Sequence, residues 1–162
     1  MSDIQVVKGE GQLTIPGLAA GIGLCALDAT AEVGGMVHIV LPISPTDRTP
    51  GRVGMYANTA LPALLDMMEQ AGAQRDRVRA AFAGGAQPVT GDKAESAQSL
   101  QIGVRNIEAV LKALTDLGIP LTDQDTGGHL ARRLVFSVDN GVVTVQMANG
   151  PERLLSNLGG KL

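Results

Sequence analysis

Gly34-Gly35-Met36-Val37-His38-Ile39-Val40-Leu41-Pro42 is the stretch on which the reading of this fold turns. Two glycines launch a continuous aliphatic run interrupted by a single histidine, and a proline closes it. A short apolar run of this length, rich in β-branched residues and bounded by breakers, predicts a buried central strand. Working upstream, Leu18 to Asp28 is small and apolar but too rich in glycine for a good helix, so it reads as a second buried strand with a turn at Asp28. Residues 4–8 and 12–15 read as two short strands separated by Gly9 and Gly11.

Downstream, Ser44 to Gly54 is a loop dense in Pro, Thr, Gly and Arg. Two helical stripes follow. Leu61, Leu64, Leu65 and Met68 recur at i, i+3, i+4 and i+7, with Asn58 as the expected cap, Pro62 in the first turn and Gly72 as the stop. Ile107, Val110, Leu111, Leu114 and Leu117 form the second stripe, ended by Gly118 with Pro120 beyond. A strand over 78–83 and a polar loop from Gly84 to about Ser99 lie between them. Near the end, Arg133–Val138 and Val142–Met147 flank Asp139-Asn140-Gly141, and Asn-Gly favours the positive backbone angles of a tight hairpin. Strands and helices mix without strict alternation, which predicts an α+β fold of mixed β-sheets with helices packed outside. One domain over 1–162 is expected, with 148–162 as a mobile tail.

Composition narrows the function. Hydrophobic residues make up 44% of the chain while Tyr56, Phe82 and Phe136 are its only aromatics, so the core must be aliphatic. A net charge of −3, with no basic block and no aromatic platform, argues against nucleic-acid binding. No signal-peptide pattern and no apolar stretch of membrane-spanning length is present, so a cytoplasmic protein without membrane insertion is expected. Cys25 is the single cysteine, which leaves no internal disulfide and no cysteine metal cluster. Two histidines without an acidic cluster give no metal site, and no cofactor is expected.

Four stretches together resemble the CheD family of chemoreceptor glutamine deamidases. Residues 34–42 are similar to its GGMxHxMLP strand, and Tyr56-Ala57-Asn58-Thr59-Ala60 to its YADTA helix start. Ala83-Gly84-Gly85-Ala86 followed by Ile102-Gly103-Val104-Arg105-Asn106 resembles its GGA loop and IGxRN helix entry. Asp125-Thr126-Gly127-Gly128-His129 with Arg132-Arg133 resembles its DxGGN segment, His129 replacing the asparagine. Each is weak alone, but they occur in family order from about residue 5 to 147. The resemblance implies the fold shared with deamidase toxins of the cytotoxic necrotizing factor type. It also implies hydrolysis of receptor glutamine side chains to glutamate, and in some bacteria binding of the phosphatase CheC.

That chemistry needs a nucleophile. A thiolate attacks the amide carbonyl, ammonia leaves, and water hydrolyses the thioester; a histidine takes the thiol proton and later activates the water. In the family the cysteine ends a T-x-G-L-G-S-C run seventeen positions before the histidine. Counting back from His38, the base position, reaches Gly21. In Ile15-Pro16-Gly17-Leu18-Ala19-Ala20-Gly21 the threonine position is Ile15, the Gly-Ser pair is Ala19-Ala20, and glycine stands where the family has cysteine. Cys25 is the one possible substitute, but four residues along a strand span roughly 13 Å, and a buried inert thiol is the plainer reading.

Other candidates carry blander alternatives. His38 also reads as a core histidine in an apolar strand. Gly84, Gly85 and Ala86 read either as backbone lining a cleft or as a simple strand-to-loop turn, and the Asp125–Gly128 turn as architecture. Gln87-Pro88-Val89 lacks the aromatic that CheC-binding members present, which counts against a CheC-like partner. The expectation is a non-catalytic CheD-like module that binds chemoreceptor helices or another signalling partner. The alternatives are an active deamidase using Cys25 and a scaffold repurposed outside chemotaxis.

Overall fold

The computed structural model describes residues 4–45, 52–87 and 101–160. Among the described residues, nine strands and two α-helices are arranged in three layers. The strands are β1 (Ile4–Lys8), β2 (Gln12–Leu18), β3 (Ile22–Asp28), β4 (Val33–Ile39), β5 (Arg79–Gly84), β6 (Leu121–Thr126), β7 (Arg132–Ser137), β8 (Val142–Met147) and β9 (Glu152–Asn157). The helices are α1 (Ala57–Gln70) and α2 (Ile102–Leu117). A five-stranded sheet runs β1-β4-β3-β5-β6 and a four-stranded sheet runs β2-β7-β8-β9. The β5–β6 pair is parallel and the remaining neighbours are antiparallel. This is the α+β fold with mixed sheets and outer helices that the sequence predicts.

The central strands β3 and β4 are buried on both faces, as continuous apolar runs require. Alternate residues serve two cores. Ile22, Leu24, Val37 and Ile39 pack against Leu61, Leu64, Leu65, Met68, Val110 and Leu114 of the helices. Cys25, Leu27 and Met36 point the other way, against Leu18, Leu134, Phe136 and Val145 of the second sheet. Asp28 closes β3. Its solvent-inaccessible carboxylate accepts the backbone N–H groups of Thr30, Ala31 and Gln74 and the Arg77 guanidinium. Burial alone would raise its pKa; these donors, Arg77 foremost, outweigh burial and hold it below the ordinary value.

Several boundaries differ from the sequence reading. The chain does not enter β3 at Leu18: β2 continues to Leu18, Ala19-Ala20-Gly21 bend, and β3 begins at Ile22. Asn58 is not the cap of α1. The cap is Tyr56, and the Asn58 side chain accepts the Ser44 N–H instead. Pro62 therefore falls in the second turn rather than the first. The stretch expected to be a mobile tail supplies β9, which pairs with β8 and buries Leu155 and Leu158. Asp125 and Thr126, expected to open a turn that runs to Gly128, instead end β6, which pairs with β5 from Leu121 to Thr126. Among the described residues no helix is long and apolar enough to cross a membrane.

Candidate functional site

β3 and β4 are hydrogen-bonded from Asp28↔Val33 out to Gly23↔His38 and Ile22↔Ile39. Beyond that rung the two chains separate, Gly21 leading back toward β2 and the Val40 N–H donating to the Met55 carbonyl. His38 lies at this opening, half-buried, on the face that looks toward the second sheet. A Cβ built on Gly21 would stand 2.6 Å from His38 Nε2, 3.1 Å from its Cδ2 and 3.0 Å from the Ile39 carbonyl oxygen. The residue seventeen positions upstream of the histidine is thus its spatial neighbour. The imidazole leans into the space that any side chain at position 21 would need. Gly21 is not in the left-handed backbone region, so nothing about its conformation demands glycine.

Burial pushes the His38 pKa below its ordinary value, which favours the neutral ring near pH 7. No ring hydrogen bond is made among the described residues. A neutral imidazole of this kind can accept a proton, but no thiol or hydroxyl stands at position 21 to supply one.

Ile15 lies on β2, nearly buried, with its Cδ1 3.1 Å from where a Gly23 Cβ would be. Gly23 is the cross-strand partner of His38, so Ile15 sits over the same rung of the ladder. Here it contributes only hydrocarbon.

The ring is turned toward Gly21, away from Cys25. Cys25 pairs with Met36 and Ala81, two residues along the strand from the Gly23–His38 rung. Diagonal neighbours of this type have Cα atoms roughly 7–8 Å apart, and His38 leans the opposite way, toward Gly21. Cys25 is also fully buried among Leu27, Met36, Ala81 and Leu134, and burial pushes its thiol pKa far up. Folded protein is therefore expected to resist iodoacetamide at Cys25, with labelling appearing only on unfolding. Cys25→Ala is expected to cost about 1 kcal/mol of stability in urea titration. Fast stoichiometric labelling of the folded chain would contradict this placement.

Gly84, Gly85 and Ala86 are all buried. They do not present free N–H groups to a cleft: Gly85 N–H donates to the Gly21 carbonyl at 3.0 Å and Ala86 N–H to the Ala19 carbonyl at 2.8 Å. The loop is a brace that holds the 19–21 bend. Gly84, at φ +125°, lets the two chains touch, because a Cβ there would fall 2.1 Å from the Gly21 oxygen. The loop is pressed from outside by α2, where a Cβ on Gly103 would lie 2.5 Å from the Gly85 carbonyl oxygen. Gln87 N–H continues the brace to the Gly128 carbonyl, and His129 Nδ1 bonds the Gln87 carbonyl at 2.8 Å. His129 is thus tied to the loop, and no metal-ligand cluster occurs among the described residues. Pro88 and Val89 lie outside the described residues.

Asn106 has a part that its motif alone does not indicate. Fully buried on α2, its Nδ2 donates to the carbonyls of Ala20 at 2.9 Å and Val40 at 3.0 Å. A buried amide on the inward face of an amphipathic helix was the available signal.

The fold and this geometry define the class: an α+β sandwich with outer helices, carrying a half-buried histidine against a braced bend where two central strands part. Comparison with known proteins places it further. Residues 40–147 match the family model described as CheD chemotactic sensory transduction. A chemoreceptor glutamine deamidase CheD of Thermotoga maritima is 36% identical over 95% of this chain and 93% of its own. A probable chemoreceptor glutamine deamidase CheD of Desulfitobacterium hafniense is 37% identical over 96% and 95%. The chemoreceptor glutamine deamidase CheD of Bacillus licheniformis is 31% identical over 90% and 86%. The chain belongs to the CheD family.

Proposed function

We propose that this chain is a cytoplasmic chemotaxis module that keeps the CheD scaffold as a binding surface, performs no amidase chemistry, and takes the cytoplasmic helices of a chemoreceptor as its partner. The observation that carries this reading is the contact between His38 Nε2 and the Cβ position of Gly21. The base faces the nucleophile position and finds hydrogen there. Without sulfur no thioester forms, and a neutral imidazole ordering a water leaves the full barrier of amide hydrolysis nearly untouched. Loss of a nucleophile from a hydrolase site costs around a millionfold in turnover.

The same geometry supports retention of binding. Brace, bend and strand opening are built from close backbone contacts that a decayed site would have no reason to keep. Immobilised cytoplasmic fragments of chemoreceptors are expected to capture the chain saturably, with capture unchanged by prior treatment with iodoacetamide. Absence of binding to any receptor fragment of the source organism would instead favour a scaffold repurposed outside chemotaxis.

A further inference from the structure

The bond pattern around Asn106 goes a step beyond loss of the thiol. Its amide orientation is forced, since both neighbours of Nδ2 are carbonyl oxygens and only the NH2 end can donate to them. The two carbonyls come from opposite sides of the opening. Ala20 immediately precedes position 21, and Val40 immediately follows the Ile39 rung that ends the β3–β4 ladder. Where the ladder stops, one side chain from α2 replaces its next hydrogen bonds. The other end of the amide receives nothing: Oδ1 is buried without a partner. An orphaned buried acceptor is unfavourable, so the amide is explained by the two carbonyls it joins rather than by the space it fills. A residue chosen only to fill the space would be apolar.

We propose that Asn106 is the positioning residue of this site, clamping the parted strand ends so that position 21 is held directly against the His38 ring. This rests on the reading of position 21 as the family's nucleophile position. Gly103, one turn earlier on α2, presses the Gly85–Ala86 backbone that braces the same bend. The helix thereby holds the bend from two sides, and the spacing between residue 21 and His38 follows α2.

The test uses the full chain carrying Gly21→Cys and Cys25→Ala, so that one thiol titrates, with iodoacetamide alkylation followed against pH. With Asn106 intact, the midpoint is expected to fall at least one unit below the free-thiol value of about 8.5, about a tenfold gain in thiolate at pH 7. Adding His38→Ala should return it to the free value. Adding Asn106→Ala should also return it, while circular dichroism shows a folded chain; Asn106→Asp, which keeps the shape but loses both N–H donors, should return it as well. A midpoint at the free-thiol value with Asn106 intact would sink the reading of position 21 and this proposal with it. A depressed midpoint that Asn106→Ala leaves unmoved would overturn the role of Asn106 alone. If neither variant folds, the amide is a folding determinant and the positioning role is likewise rejected.

Discussion

Gly21→Cys combined with Ile15→Thr is expected to convert the chain into a measurable glutamine deamidase, raising turnover on receptor fragments by about a thousandfold or more over the unaltered chain. The scale follows from the millionfold worth of a nucleophile in a hydrolase site, reduced because the flanking Ala19-Ala20 still departs from the family's Gly-Ser. Sterically the new side chain is admissible. The backbone of Gly21 is one that L-residues adopt, and the tightest contact, 2.6 Å, is to the far end of a half-buried ring that can rotate. The Ile39 carbonyl at 3.0 Å must yield by a few tenths of an ångström. The swing that relieves the contact leaves Nε2 beside the sulfur, where it accepts the thiol proton. Ile15→Thr puts a hydroxyl into an aliphatic cluster over the Gly23–His38 rung, and is expected to cost about 1–2 kcal/mol unless that hydroxyl bonds the ring. Activity should depend on His38, and mass spectrometry of the receptor fragment reads it. No gain in a folded double variant would mean that the site has decayed beyond position 21.

The largest structural effect is expected from Gly84→Ala. The methyl group would be built at φ +125° and 2.1 Å from the Gly21 carbonyl oxygen, so the backbones of β5 and the bend must part. Strain at such a position costs about 1–3 kcal/mol, and the Gly85 N–H to Gly21 hydrogen bond lost with it adds about 1 kcal/mol. A fall of about 3 kcal/mol in urea-unfolding stability follows. A loss under about 1 kcal/mol would show that the brace is not the tight contact described.

Much of this arrangement was legible in the sequence, for identifiable reasons. β4 announced itself through a β-branched run between Gly-Gly and Pro, and the β7–β8 hairpin through Asn140-Gly141, because both signals are local. The facing of Gly21 and His38 is a different kind of inference: it came from a motif count, and in the fold it arises because β3 and β4 are antiparallel neighbours whose ladder ends one rung past His38. What escaped was non-local. β6, Leu-Thr-Asp-Gln-Asp-Thr, has no apolar alternation and is a strand because β5 offers it an edge. β9 likewise exists by pairing with β8. The bend at Ala19–Gly21 was hidden inside an unbroken run of small residues, since the cause of the turn is the brace from Gly85 and Ala86, more than sixty residues away. Asn58 was a good cap by residue type, yet its side chain went to Ser44 and left the cap to Tyr56. For the same reason the part played by Asn106 is not legible in the sequence: its two carbonyl partners are 86 and 66 residues distant in the chain.

The most direct measurement is mass spectrometry of chemoreceptor cytoplasmic fragments incubated with the unaltered chain, alongside an active CheD relative as positive control. The expected result is unchanged glutamine in every fragment that the relative converts to glutamate. Conversion by this chain, abolished by Cys25→Ala or by alkylation, would mean that a thiol reaches His38 after all and that the site is a working amidohydrolase.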